Sequence, residues 1–194
     1  MLALIAAYWV VHRTPPPPKP PSAAVLARHG CTLRQFPSAG RTHVSGSKPP
    51  SAYRIEYVAP SQLGKNPDGT TVKYDSFPPT SGPHYPQWVT WGSYAKPLPE
   101  IAAVHNLEHG GVIVQYGSGV PAATVAALRA FVAASPNGML MAPLAQLGSR
   151  VALTAWTYRA TCTSFDKTAF TLFRDTLRFK GPERFPASAL APGD

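Results

Sequence analysis

The segment His105-Asn106-Leu107-Glu108-His109 sets two imidazoles four residues apart, with a carboxylate beside the second. On a helix that spacing puts both rings on one face, within reach of a single ion, and imidazole is the commonest metal ligand among side chains. A third histidine closes the run Pro78-Pro79-Thr80-Ser81-Gly82-Pro83-His84. Its prolines restrict φ and exclude a helix, so the loop should be rigid enough to hold a ligand in place. His84, His105 and His109 are therefore the expected metal ligands, and a three-histidine set with an optional thioether suits copper or zinc. His43, in Gly40-Arg41-Thr42-His43-Val44, and Met141, on a strand with Met139, are further candidates. Glu108 is expected outside the ligand set, accepting an imidazole N–H and orienting the ring. His12 and His29 are assigned no role.

Two other readings stay open. His-x-x-Glu-His also matches an inverted zincin pattern, which would make Glu108 the general base of a zinc-dependent hydrolase. Against it, the motif sits at a helix end before Gly110-Gly111, and the nearest acid downstream is Asp166. The third reading is a non-catalytic envelope binding module, with structural histidines and Tyr85, Trp88, Trp91 and Tyr94 as contact surface. Otherwise that aromatic segment packs as a lid over the site or on a sheet. Whether the chain is an enzyme stays undecided at this stage.

The elements that must position these residues follow from pattern. Leu98-Pro99-Glu100 begins a short helix that carries the histidine motif and is stopped by Gly110-Gly111. Val112–Tyr116 reads as a buried strand. Pro121–Ala134 is an amphipathic helix with proline in its first turn. Met139–Ala142 and Val151–Thr157 read as strands, the second central because it is almost continuously apolar. A last helix spans Asp166–Phe179, with Ser164 or Asp166 as N-cap. Upstream, Tyr53–Val58 is extended, Thr71–Tyr74 a short strand, and Asn66-Pro67-Asp68-Gly69 a turn. The order indicates one α+β domain around a mixed sheet. It begins near Val25 and covers 25–186, with a tail at 187–194; from Gly181 onward the chain already looks like a tail.

Before the domain, Leu2–Val11 is an apolar run too short to span a bilayer, which needs about 20 residues. It is read as a partial membrane anchor or signal segment (1–13), the alternative being an unstructured apolar terminus. Residues 14–24, with Pro15–Pro18, Pro20 and Pro21, form a stiff spacer. That layout predicts a protein held on the extracytoplasmic side of the cell membrane, or secreted, with the membrane as partner through its N-terminal segment. The formal charge of +9, from 18 basic and nine acidic residues, suggests nucleic acid at first sight. However, Arg28, Arg34, Arg41, Lys48, Arg129, Arg150, Arg159 and Arg178 are scattered and no nucleic-acid motif accompanies them. No nucleic-acid partner is expected, and an anionic membrane surface or cell wall explains the charge as well. Cys31 and Cys162 are the two cysteines. Outside the cytoplasm they should form one disulfide tying the start of the domain to its last helix; inside it they would be two buried thiols.

Several segments, in order, resemble a bacterial domain-of-unknown-function family, number 3105. They are Gly30-Cys31, His43-Val44, Tyr74 with Pro78–His84, Gly92-Ser93-Tyr94 with Pro97, Val104–Gly110, Ala152–Trp156 and Cys162. The resemblance runs from Gly30 to Pro186. It implies an extracytoplasmic domain behind an N-terminal membrane segment and brings no established activity. The chain departs from the pattern in an apparent insertion between His43 and Tyr74, containing Lys65–Gly69. It departs again at Trp156-Thr157, where the family tends to have glycine after the tryptophan. The combined expectation is a metal-binding domain with a role in metal handling or redox chemistry at the cell envelope.

Overall fold

The computed structural model describes residues 19–64 and 69–193. The expected membrane segment, most of the proline spacer and the start of the Asn66–Gly69 turn fall on residues 1–18 and 65–68 and lie outside the described residues. No helix among the described residues is long and apolar enough to cross a membrane.

The chain forms a six-stranded mixed sheet with helices on both faces. In chain order the elements are α1 (Ala23–Arg28), β1 (Cys31–Gln35), β2 (Arg54–Tyr57), β3 (Thr71–Tyr74), β4 (Gly92–Ser93), α2 (Glu100–Glu108), β5 (Val112–Tyr116), α3 (Ala122–Ala133), β6 (Met139–Pro143), β7 (Val151–Ala155), β8 (Tyr158–Cys162) and α4 (Lys167–Leu177). The sheet order is β1-β8-β7-β5-β6-β4, and β2 pairs with β3 in a separate parallel ribbon. Helix α3 supplies the crossover that lets β5 and β6 lie parallel. This is a single α+β domain. As anticipated, β7 is interior, between β5 and β8.

Alternation along the strands divides the core in two. Val112, Val114, Met139, Met141, Val151, Leu153 and Ala155 face one way and pack under Leu26 of α1, Leu128, Phe131 and Val132 of α3, and Phe170, Phe173 and Leu177 of α4. Ile113, Leu140 and Ala142 face the other way, against Ala103 and Leu107 of α2, with Trp91, Leu98 and Leu190. Asp166 caps α4, its carboxylate accepting from the Ala169 N–H at 3.0 Å. Ser22 caps α1 in the same way, accepting from the Val25 N–H at 3.3 Å.

Three expectations about elements need correction. The strand predicted over Val151–Thr157 ends at Ala155, and the chain reverses at Trp156-Thr157 into β8. The turn has no Gly, Asn or Pro to announce it, because Thr157 itself adopts φ 63°. That is the left-handed region where a β-branched residue is an outlier and glycine is at ease. Secondly, Cys31 and Cys162 are disulfide-bonded, but Cys162 lies at the end of β8, not on the last helix. The bridge joins directly opposed residues of β1 and β8. Thirdly, the segment from Gly181 is packed: Leu190 is fully buried, and the Gly138 N–H donates to its carbonyl at 2.7 Å.

Candidate metal centre

Helix α2 is the centre of the site because it is buried along its whole length, from Ile101 to Glu108. A helix in that position must satisfy its polar side chains inside the protein. Asn106, fully buried, does so by accepting from the Val89 N–H at 2.9 Å and donating to the Val89 carbonyl at 2.7 Å. This pins the Trp88 loop to the helix. His105, Glu108 and His109 instead turn toward the His84 loop.

That loop is built into the fold by backbone pairing. The Gly82 N–H donates to the Gly40 carbonyl, the His84 N–H to Thr42 and the Val44 N–H to His84, so Gly40–Val44 runs beside Gly82–His84 and His43 stands next to His84. The four side chains His43, His84, His105 and Glu108 each offer one donor atom, all within 4.8 Å of one another. His84 Nε2 lies 3.0 Å from Glu108 Oε2, and His43 Nε2 lies 3.9 Å from the same oxygen. Donors held at about 2.1 Å around a tetrahedral ion lie roughly 3.4 Å apart, so the set has the right size to hold a metal. His84, His105 and Glu108 are buried, whereas His43 is about half exposed and forms the mouth.

The ring nitrogens are oriented from outside the cluster. His84 Nδ1 lies 2.8 Å from the Gly82 carbonyl and His105 Nδ1 lies 2.8 Å from the Tyr85 carbonyl. A carbonyl only accepts, so both Nδ1 atoms carry the proton and donate it. Where such an imidazole is neutral, its Nε2 is a bare lone pair directed into the cluster; where His84 carries a second proton, its Nε2 donates to Glu108. Burial pushes the His105 pKa below its ordinary value, against the pull of the Tyr85 hydrogen bond, and the neighbouring His84 and His43 push it lower still. His109 is brought down to about 4, by burial first and then by His105. Both rings are therefore neutral at neutral pH. Burial drives the Glu108 carboxyl upward, but the His84 hydrogen bond and the fields of His84, His105 and Arg41 outweigh it, leaving a carboxylate more acidic than usual.

The sequence candidates are thus distributed rather than gathered as a single set. His84 and His105 come together with His43, and Glu108, expected as an outer support, lies among the donor atoms themselves. His109 joins a second group with Glu108 and Glu183. Its Nε2 is 3.1 Å from His105 Nε2 and 3.2 Å from Glu183 Oε2, while its Nδ1 is buried without a partner among the described residues. Met141 is fully buried in the sheet core on the face away from α2, so it is not one of the gathered donors. Trp88 closes over the site, edge-on to His109 at 4.8 Å and to His105 at 5.8 Å, whereas Trp91 packs on the sheet.

Sequence reasoning missed Arg41, whose Nε is 3.7 Å from Glu108 Oε1, together with Glu183 and Phe185. Phe185 stacks on His109 at 4.2 Å. Glu183 and Phe185 reach the site because Gly110, at φ 85°, lets the backbone of residues 179–181 approach the end of α2. The Glu183 N–H then donates to the Glu108 carbonyl at 3.1 Å. The one available signal was Gly110-Gly111, read only as a helix stop.

Fold and site together define the class: an α+β domain, crosslinked by a disulfide, with a buried histidine–glutamate cluster able to hold a metal ion at one end of its central helix. The chain belongs to the family described as protein of unknown function (DUF3105), which matches residues 65–189, more than half of its length. The matched span contains His84, His105, Glu108, His109 and Glu183; His43 and Cys31 precede it. No curated protein and no solved structure matches the chain.

Proposed function

We propose that this domain binds one divalent transition-metal ion, zinc or copper(II), through His84 Nε2, His105 Nε2 and a Glu108 carboxylate oxygen, with His43 as the exposed fourth donor, and that it handles the metal on the extracytoplasmic side of a bacterial membrane or after secretion. The observation that carries the reading is the arrangement of the two buried imidazoles. Their Nδ1 protons are committed to the Gly82 and Tyr85 carbonyls, which leaves the His84 Nε2 lone pair facing a carboxylate oxygen at 3.0 Å. Two acceptors at that distance repel each other unless a metal ion or a second imidazole proton lies between them. Three imidazole nitrogens and one carboxylate oxygen are the donor types of zinc and copper(II), and no sulfur donor accompanies them to favour copper(I). The disulfide is consistent with an oxidising compartment, and the half-exposed His43 supports exchange of the ion with solvent or a partner. Glu108, so close to the rings, is better placed as a ligand than as the free base a hydrolase needs.

The same contact supports one competing reading. His84 could carry a second proton and form a buried ion pair with Glu108, with no metal at all. Elemental analysis of the purified chain, before and after loading with zinc and with copper(II), separates them. One equivalent is expected, lost in His84→Ala/His105→Ala and weakened in Glu108→Gln. No metal in the wild-type chain after either loading overturns the proposal and leaves the ion pair.

A further inference from the structure

Three of the arginines that look scattered along the chain come together in space. Arg34 of β1 and Arg159 of β8 are directly opposed residues, and Arg150 stands just before β7, next to β8 in the sheet. All three line one pocket of about 410 Å³, with the hydroxyls of Thr32 and Thr161 and the Phe77 ring. The pocket lies on the sheet face that α2 covers farther along, where Thr32 and Arg34 are exposed. No acidic side chain lines it, and among the described residues no carboxylate pairs with any of the three guanidiniums.

Like charges directly opposed across two strands destabilise a sheet, so a pair kept this way needs a reason. Arg34 and Arg159 are also held in place: each guanidinium carbon sits over the Phe36 ring, at 5.2 and 5.1 Å. Arg159 donates from one terminal nitrogen to the Phe77 carbonyl, while its Nε is buried with no partner among the described residues. Burial, and then the nearby Arg34 charge, push the Arg159 guanidinium below its ordinary value. Three positive groups and two threonines thus line one pocket, with no counter-charge among the described residues.

We propose that this pocket binds a phosphate group carried by a small organic ligand. Guanidinium matches phosphate in a two-pronged geometry, and a dianion balances the surplus charge better than a single carboxylate does. The volume exceeds that of the phosphate alone, and Phe77 offers an apolar wall for the remainder. The same phosphomonoester chemistry could come from a soluble phosphorylated metabolite or from the headgroup of phosphatidic acid. The site is separate from the histidine cluster and does not depend on a metal there.

The test uses the 194-residue chain, its Arg34→Gln/Arg150→Gln variant and Arg150→Gln alone, an exposed turn position that folding does not need. Calorimetry with inorganic phosphate and glycerol 3-phosphate reads the soluble source. Co-sedimentation with vesicles containing phosphatidic acid, against phosphatidylcholine vesicles, reads the headgroup. Each arginine removed should weaken binding at least about tenfold, as for a lost hydrogen bond to a charged group, with near-ultraviolet circular dichroism unchanged. Saturable glycerol 3-phosphate binding lost in the variants identifies a soluble ligand. Vesicle binding alone, lost in the same way, identifies a headgroup. Binding that persists undiminished in the variants, or none of either kind by the wild-type chain, overturns the proposal.

Discussion

Glu100 opens α2, the helix that carries the site, and its carboxylate lies within the protein, accepting from Gln115 Nε2 at 2.5 Å. Burial raises its pKa from the ordinary 4.5 to about 7, opposed only in part by that hydrogen bond. The rise corresponds to roughly 3 kcal/mol, at about 1.4 kcal/mol for each factor of ten. Its position at a helix N-terminus returns about 0.3–1 kcal/mol to the charged form, leaving about 2–3 kcal/mol. The sign follows from proton counting. Between pH 4.5 and about 7 the folded state holds a proton that the unfolded state has released, so stability falls as pH rises through that window and levels off above it. Glu100→Gln keeps an oxygen for Gln115 and removes the titration. The two proteins should therefore be equally stable near pH 4, while near pH 8 the variant should be more stable by about 2–3 kcal/mol, or about 5–10 °C in Tm for a domain of this size. Urea unfolding across that range measures both. A wild-type minus variant difference that does not change with pH refutes the reasoning.

Three shorter predictions test the frame around the site. Asn106→Ala leaves the Val89 N–H and carbonyl unpaired and should cost about 2–3 kcal/mol; it should also release Trp88, seen as a red shift in tryptophan emission. Gly110→Ala combines a positive φ with a Cβ only 2.9 Å from the backbone of residues 179–181. A loss of at least about 2 kcal/mol is expected, with faster hydrogen exchange in residues 179–185, and an unchanged variant would show that the close approach is not required. Thr157→Gly relieves the left-handed threonine and should raise stability by about 1 kcal/mol in thermal unfolding; a loss would mean that the bond from its hydroxyl to the Trp156 carbonyl outweighs the strain.

Much of the frame was legible because it rests on local periodicity. The α2 boundaries, β3, β5, α3, β6 and the Asp166 cap of α4 follow from apolar spacing, proline and glycine. What escaped were elements whose signal is weak along the chain. Strand β1 carries Thr32, Arg34 and Gln35 because it is an edge strand with one face in solvent, so no apolar run marks it. The hairpin from β7 to β8 escaped because a threonine occupies its left-handed position.

The sequence by itself determined that histidines and a glutamate sit on one short helix near a rigid histidine loop, since residue type and i, i+4 spacing are properties of the local chain. Which of them converge was decided by tertiary structure. Pairing of Gly40–Val44 with Gly82–His84 brought His43 in, and the Gly82 and Tyr85 carbonyls set the ring tautomers. The close passage at Gly110 delivered Glu183 to His109. Strand registry likewise gathered Arg34 and Arg159, 125 positions apart by their numbers, into one pocket. In each case the deciding contact joins residues distant along the chain, and only the burial of a shared core makes such contacts favourable enough to form.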